Sequence, residues 1–263
     1  MPTNHTQEKI IKATQTAFDI IEAVAELDQP TVSKIAEEVD YSRSTVHYHL
    51  KTLQKERYVI ADNGGFRLGL RMARLGNLSI RDHRLTEVVE EPADDLAAAT
   101  GATAHVAVEE DGALVWFYRS PPDGSDDPPT AVGLEAPIHC TAYGQAILAH
   151  MSPEEVSELV ESHGLSPVTS ETLTDPGALR ERLDTVQDLG FAYSAREYSD
   201  GFSSIAAPIV DTEDSIVGSI GIMASYDWID DPYKHAKARR FSDELPGLVR
   251  KAAQSASDRL LER

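Results

Sequence analysis

The sequence predicts an α+β chain of two domains: a small helical domain closed by a β-hairpin, then a larger domain of mixed α/β type. Three observations carry this. Residues 31–56 (TVSKIAEEVDYSRSTVHYHLKTLQKE) read as two short helices about a tight turn. Residues 58–68 hold two runs of strand formers around Asn63-Gly64. From Ala102 the apolar period changes from helical to alternating.

Residues 1–12 are polar and predict a frayed end. Residues 13–27 predict a first amphipathic helix, with Ala17, Ile20, Ile21, Val24 and Leu27 on one stripe. Asp28-Gln29-Pro30 ends it, and Thr31 is placed to cap the next. Val32, Ile35, Ala36 and Val39 recur at helical spacing, as do Val46, His49, Leu50 and Leu53. Between the two sets, Asp40-Tyr41-Ser42 breaks the pattern, and Ser42 is a good N-cap for the third helix. With the stripe turned inward, Ser42, Arg43, Ser44, Thr45, His47, Tyr48 and Lys51 remain outside, most of them on the helix's N-terminal half. That half is the part of a recognition helix that enters a major groove. Thr31 joins this candidate DNA-binding surface. An ordinary helical hairpin with a polar face is the alternative for the helix pair alone. The residues after Glu56 argue against it. Asn-Gly between strand formers predicts a hairpin, because both central turn positions want positive φ. Three helices and a hairpin make a winged helix-turn-helix over residues 1–69, with Asn63 and Arg67 presented by the wing.

Residues 70–81 predict a linker helix within a 70–84 linker, with Arg71 and Arg74 on its polar side. Solvated surface and phosphate contact both remain open for those arginines. The second domain, residues 85–263, begins with a helix over 85–100 that Gly101 closes. Strands are expected over 104–108 and 113–118 across an Asp111-Gly112 turn, then an exposed loop over 120–129 and a short strand over 130–134. Helices are expected over 141–151, from Ser152-Pro153, and over 176–189 up to Gly190. Strands over 205–210 and 216–224 come next, and a last helix from Asp231-Pro232 towards Leu261. The spacing is not that of regular βαβ units, so a sandwich with a mainly antiparallel sheet is expected.

Charge is divided along the chain. The formal net charge is -20. Residues 1–84 hold 12 basic and 11 acidic residues, residues 85–263 hold 12 and 33, and residues 42–84 alone hold 9 and 3. Positive charge therefore lies at and just after the candidate recognition helix. The acidic remainder resembles proteins of a high-salt cytoplasm, with an acidic surface for a partner as the alternative. One cysteine excludes a disulfide framework and a four-cysteine zinc site. No apolar run resembles a signal peptide or a membrane span, so the expected setting is cytoplasmic with no membrane partner. His139-Cys140 offers an imidazole and a thiol, but neighbours in sequence rarely face each other, and a structural cysteine is favoured. His47 and His49 point to different helix faces. Phosphate-loop, dinucleotide, HExxH and GxSxG motifs are all lacking, so neither catalysis nor a cofactor or metal is expected.

A buried ligand site is a better reading of the second domain. The helix beginning at Gly144 offers free backbone N–H groups to an anion. Gly201-Phe202-Ser203-Ser204 leads into an apolar strand and sets hydroxyls beside an apolar wall. Serines that merely satisfy strand ends remain the alternative.

Two sets of residues in the right order resemble the IclR family of transcription regulators. The first is Ile35-Ala36-Glu37-Glu38-Val39 with Ser42-Arg43-Ser44-Thr45-Val46-His47. The second is residues 139–149 (HCTAYGQAILA), Glu197, residues 203–209 (SSIAAPI) and residues 217–222 (VGSIGI). The resemblance runs from about Ala13 to the C-terminus. It implies a GAF-like second domain that binds a small effector, and a homodimer or homotetramer on an operator of double-stranded DNA. It also implies effector contacts near Gly144, Ser194, Phe202, Ser204, Gly221 and Met223. Several members carry Asp where Ser194 falls, Cys where Ser204 falls and Ser where Gly221 and Met223 fall. Gln145 replaces a common Lys, and Tyr48-His49 replaces a common Arg-Leu.

The expected function is thus sequence-specific DNA binding controlled by a small organic acid or sugar acid. The rivals are a constitutive DNA-binding regulator whose second domain only oligomerises, and an enzyme with an appended DNA-binding domain.

Overall fold

The computed structural model describes residues 10–124, 128–211, 213, 215–226 and 244–262. The chain divides into two compact units, Met1–Asp82 and His83–Arg263. The expected fray of residues 1–9 and the helix start at Asp231-Pro232 lie outside the described residues.

In the first unit α1 (Lys12–Glu26), α2 (Val32–Glu38) and α3 (Arg43–Lys55) close around Ile20, Val24, Ile35, Ala36, Val46, Leu50 and Leu53. The helices begin where side chains cap them. The Thr31 hydroxyl accepts from the Lys34 N–H at 3.3 Å and the Ser42 hydroxyl from the Thr45 N–H at 3.1 Å. Asp40 turns the chain between α2 and α3 with φ of 51°. Strands β1 (Val59–Asp62) and β2 (Gly65–Leu68) pair antiparallel in the register Val59↔Leu68 to Asp62↔Gly65. Asn63 and Gly64 take φ of 44° and 87°, as a two-residue hairpin requires. The Phe66 N–H donates to the Pro30 carbonyl, which ties the wing to the turn before α2.

Helix α4 (Leu70–Arg81) buries no residue, and Leu70 and Leu75 on it are exposed. Arg71 turns back on its own unit. Its guanidinium donates to the Glu56 carbonyl at 2.7 Å, pairs with the Glu56 carboxylate and lies over the Tyr58 ring. This decides against Arg71 as a free surface cation.

The second unit is a six-stranded sheet with every neighbouring pair antiparallel. Its strands are β3 (Thr103–Glu110), β4 (Ala113–Ser120), β5 (Glu135–Pro137), β6 (Ala192–Ala195), β7 (Phe202–Val210) and β8 (Ile216–Ser225), ordered β5-β4-β3-β8-β7-β6. Helices α5 (Thr86–Thr100) and α9 (Leu245–Leu261) pack together and against β3, β7 and β8. The other face takes α6 (Ala142–Leu148), which in turn supports α8 (Pro176–Leu189), with α7 (Pro153–His163) between them in sequence. Ser152 opens α7 with a reciprocal capping box to Glu155, and Asp175 caps α8 at the Ala178 N–H.

Three expectations change. The strand expected over 130–134 is a turn: the Leu134 N–H donates to the Ala131 carbonyl and Gly133 has φ of 85°, so only Gly133 and Leu134 bond to β4, both through Trp116, and the regular ladder runs from Glu135. The helix expected over 141–151 ends at Leu148, because His150 and Met151 make tighter turns back to Ile147 and Leu148. Strand β6 and a 3₁₀ turn at Ile138–Cys140 are additional elements, too short for a periodic signal.

Leu50 is 1 % exposed at the centre of the first core. Leu50→Ala is expected to cost roughly 2–5 kcal/mol. Hydrogen exchange should then accelerate at α3 amides and stay unchanged at β7 amides in the second unit. Unaltered protection of α3 would remove Leu50 from this role.

Candidate nucleic-acid interface and effector wall

Helix α3 keeps Val46, Leu50 and Leu53 inside and leaves Ser42, Arg43, Ser44, His47, Tyr48 and Lys51 exposed. Thr45 and Thr31 are half-buried. The face carries no acidic residue from Arg43 to Lys55. The Ser42 hydroxyl lies 2.8 Å from those of both Ser44 and Thr45, so the helix starts in a cluster of hydroxyl groups. Arg43 makes a loose pair with Glu37 at 3.8 Å, and both side chains are mostly exposed. Contacts of that kind hold little free energy and leave the guanidinium able to turn outward. Tyr48 is 69 % exposed, its ring edge-to-face with His47. On the wing, Arg67 donates to Asp62 at 3.1 Å and to the Leu68 carbonyl at 3.2 Å. Its charge is thus partly balanced within the hairpin, which the sequence did not show.

In the second unit, antiparallel register sets side chains of paired residues on one face of the sheet. One row across β6, β7, β8 and β3 is Ser194, Ser204, Met223 and Thr103; the next is Ala192, Ala206, Gly221 and His105. Phe202 precedes Ser204 by two residues on the same face, half-buried at the start of β7. Helix α6 covers this face. The Ser204 hydroxyl accepts from the Ala142 N–H at 3.3 Å, and the Ser194 hydroxyl donates to the Cys140 carbonyl at 3.2 Å. Gly144 has no room for a side chain: an added Cβ would fall 1.7 Å from the Ile138 carbonyl oxygen. Gly221 is as tight, 2.1 Å from the Ile205 carbonyl oxygen. The register and packing gather five of the six expected effector residues on one sheet face, and the sixth, Gly144, on the helix covering it.

The wall is closed and internally bonded. Ser194, Ser204 and Met223 are 2–3 % exposed. The sequence expectation of free N–H groups at the start of α6 needs correction at Ala142 and Gly144. Ser204 takes the first, and the Thr141 hydroxyl takes the second at 2.9 Å. A hydroxyl at the N-cap and another from β7 reach those donors because the helix is pressed onto the sheet.

Beside the wall lies a polar group that sequence reasoning only touched. The Glu197 carboxylate, 4 % exposed, accepts from the Gln145 amide at 3.0 Å and from Arg182 at 3.1 Å. Arg182 also donates to the Tyr193 carbonyl, and Gln145 to the His139 carbonyl. Burial holds the Glu197 carboxyl above its usual range, against the lowering pull of Arg182 and Gln145. Thr172 adds a hydrogen bond to the Glu197 carbonyl at 2.7 Å. Arg182 was missed because nothing local in α8 singles it out; its partners are 15 and 37 residues away.

His105 forms a three-ring cluster with Trp116 and Tyr143, and its Nε2 lies 2.8 Å from the Thr130 hydroxyl. Burial pulls its pKa down to about 3, so the ring is neutral. Cys140 is buried, donates to the Pro137 carbonyl and has its pKa pushed up to about 12, mainly by burial, which keeps it a thiol. His139 bonds the Ser166 carbonyl instead of its neighbour. These geometries suit packing, in line with the structural reading of the pair. Among the described residues no helix is long and apolar enough to cross a membrane.

Comparison with known proteins accords with this arrangement. The IclR helix-turn-helix domain matches residues 13–62, and the family described as bacterial transcriptional regulator IclR C-terminal matches residues 78–258. A probable HTH-type transcriptional regulator ArcR of Halobacterium salinarum is 29 % identical, over 98 % of this chain and 97 % of its own. A glycerol operon regulatory protein of Streptomyces coelicolor is 30 % identical, over 86 % of this chain and 87 % of its own. A solved IclR homolog from Microbacterium hydrocarbonoxydans, complexed with 4-hydroxybenzoate, superposes with a TM-score of 0.75 at 21 % identity. That match covers 94 % of this chain and 98 % of the other. With both halves matched in order by the family's own domains, the chain belongs to the IclR family of DNA-binding transcription regulators.

Proposed function

We propose that this protein reads an operator through α3 and the β1–β2 wing, and that a small organic acid bound at the α6–β7 wall controls it. The observation that carries the first part is the exposed N-terminal half of α3, with hydroxyls, an Arg, a His and a Tyr on it and a Lys one turn on. Such groups reach base edges and phosphates in a major groove. Of the expected residues, Arg43, His47, Tyr48 and Lys51 are the base and phosphate readers. Thr31, Ser42, Ser44 and Thr45 hold the helix starts and offer hydroxyls to the backbone. Arg67 reaches the flanking backbone once Asp62 releases it.

The second part is supported by the small polar groups gathered about Ser204. An incoming carboxylate would take over the Ala142 N–H that Ser204 now engages, with Ser194 beside it and Phe202 and Met223 as apolar wall. The 4-hydroxybenzoate complex of the Microbacterium homolog supports an organic acid as the class. Opening the wall displaces α6, and a ligand that favours the open form shifts the equilibrium by its difference in affinity. A second copy completes the regulator in this reading. Ile10, Ile11 and Phe18 at α1 and Leu70 and Leu75 on α4 are apolar and exposed, and a homodimer or homotetramer would cover them. Such a protein works in the cytoplasm, where its operator is.

Footprinting on the protein's own upstream DNA supplies the operator for two tests. Arg43→Ala and Lys51→Ala are each expected to weaken operator binding. A base-reading side chain should cost about 1–3 kcal/mol and relax sequence preference, whereas a phosphate contact weakens all sequences alike. Unchanged affinity in both, with helicity intact, would take α3 out of the interface. Arg67→Glu should lower affinity without altering effector binding; parental affinity would leave the hairpin a structural element only.

For the wall, operator affinity is measured with and without a panel of small acids, 4-hydroxybenzoate included. Ser204→Leu is expected to abolish the response, and the gentler Ser204→Ala to weaken effector binding about tenfold, the worth of one hydrogen bond to a charged group. Both should bind operator like the parent. A normal response in both variants would move the effector elsewhere.

A further inference from the structure

The C-terminal end of α6 borders a half-open cavity of about 500 Å³ that it lines together with α7 and α8. It is not part of the effector wall, which lies at the other end of the helix. Leu148, Met151, Val156, Val160, Leu179 and Leu183 make it apolar. Helix α7 supplies Val156 and Val160, both half-buried, against the buried Leu148, Leu179 and Leu183. The volume lies within the roughly 300–1,000 Å³ of small-molecule sites.

The polar groups at the edge are unequal in sign. Glu161 on α7 and Asp184 on α8 face the cavity from opposite helices, against the single cation Arg180. None of the three makes an ion pair among the described residues, and residues 85–263 carry 33 acidic against 12 basic residues. Both the edge and the surrounding field therefore favour a positive group. We infer that this cavity is a second ligand site, for a small hydrophobic amine whose apolar body fills the α6–α7–α8 space and whose ammonium lies between Glu161 and Asp184.

The position gives the site a means of acting on the rest of the unit. Leu148 and Ala149, which line it, end the helix whose first N–H meets Ser204. Leu179 and Leu183 lie on the helix whose Arg182 holds Glu197 and Gln145. An occupant would brace α6 and α8 together, the two helices that the effector wall needs in place. This site and the Ser204 wall are independent readings.

The test is isothermal titration of the full-length protein with phenethylamine and hexylamine, using hexanoate and hexanol as controls of charge. Saturable one-to-one binding of an amine is expected, weakened at least tenfold by Leu183→Trp, which fills the space. The exposed pair Glu161→Gln and Asp184→Asn should weaken the amine to a similar degree, leave hexanol unchanged and fold normally whatever Leu183→Trp does. Ser204→Leu should leave amine binding intact, which separates this site from the wall. Absence of saturable amine binding overturns the inference. So does amine affinity unmoved by the carboxylate pair, or hexanoate binding more tightly than hexylamine and lost in Arg180→Ala.

Discussion

The second unit depends on the close seating of a two-turn helix on the sheet. Every residue of α6 is buried. A helix this short is not stable by itself, and its order comes from tertiary contacts. It is held at its start by hydroxyls from Thr141 and Ser204 and along its length by apolar side chains from β3, β7 and β8. At Gly144 the helix folds closely against the Ile138 carbonyl of the preceding 3₁₀ turn, which leaves no room for a side chain. Facing it, the sheet offers Ala206 and Gly221 in one row.

That seating explains why polar groups collect nearby. A buried helix start presents N–H groups that must find partners, and Ser204 of β7 and the helix's own N-cap, Thr141, supply hydroxyls for two of them. Glu197 extends the same logic to a charge. Its carboxylate is buried but takes an amide from α6 and a guanidinium from α8, so one acid joins two helices to the turn after β6. Gln145 is neutral, and Arg182 brings the cation from α8. The polar cluster is thus a fastening of α6 as well as the chemical lining of the wall.

Much of the first unit was legible because its determinants are local. Thr31 and Ser42 cap within three residues, and Asn63-Gly64 turns the hairpin by itself. The apolar stripes of α1 to α3 are regular, so burial followed from spacing. In the second unit, α8 was read to the residue from Pro176 and Gly190, for the same reason. The failures are long-range or short-lived in sequence. Strand β6 has four residues and β5 three, fewer than an alternating pattern needs. The strand expected at 130–134 is bent by the turn from Ala131 to Leu134, so only its last two residues bond to β4 and the regular ladder runs from Glu135. The sequence named Ser204 and Gly144 but not the hydrogen bond that closes the N–H of Ala142, because 62 residues separate the partners. Arg182 escaped for the same reason. Local pattern pointed to Gly144, Phe202 and Ser204, whereas Ser194, Gly221 and Met223 came from the family resemblance alone.

Arg43, Arg67 and Arg71 each stand beside a carboxylate of the same unit: Glu37, Asp62 and Glu56. A cation that meets a phosphate from such a pair leaves its carboxylate close to the polyanion. The net charge delivered per contact is then less than one, and so is the number of condensed counterions set free. Affinity for duplex DNA falls with salt in proportion to the phosphates truly neutralised, about 0.9 per charge on a log–log scale. In the proposed role, a surface of paired arginines, hydroxyls and the Lys51 cation would trade away strong attraction in dilute buffer. What it retains is grip that changes little as the ionic strength of its surroundings rises.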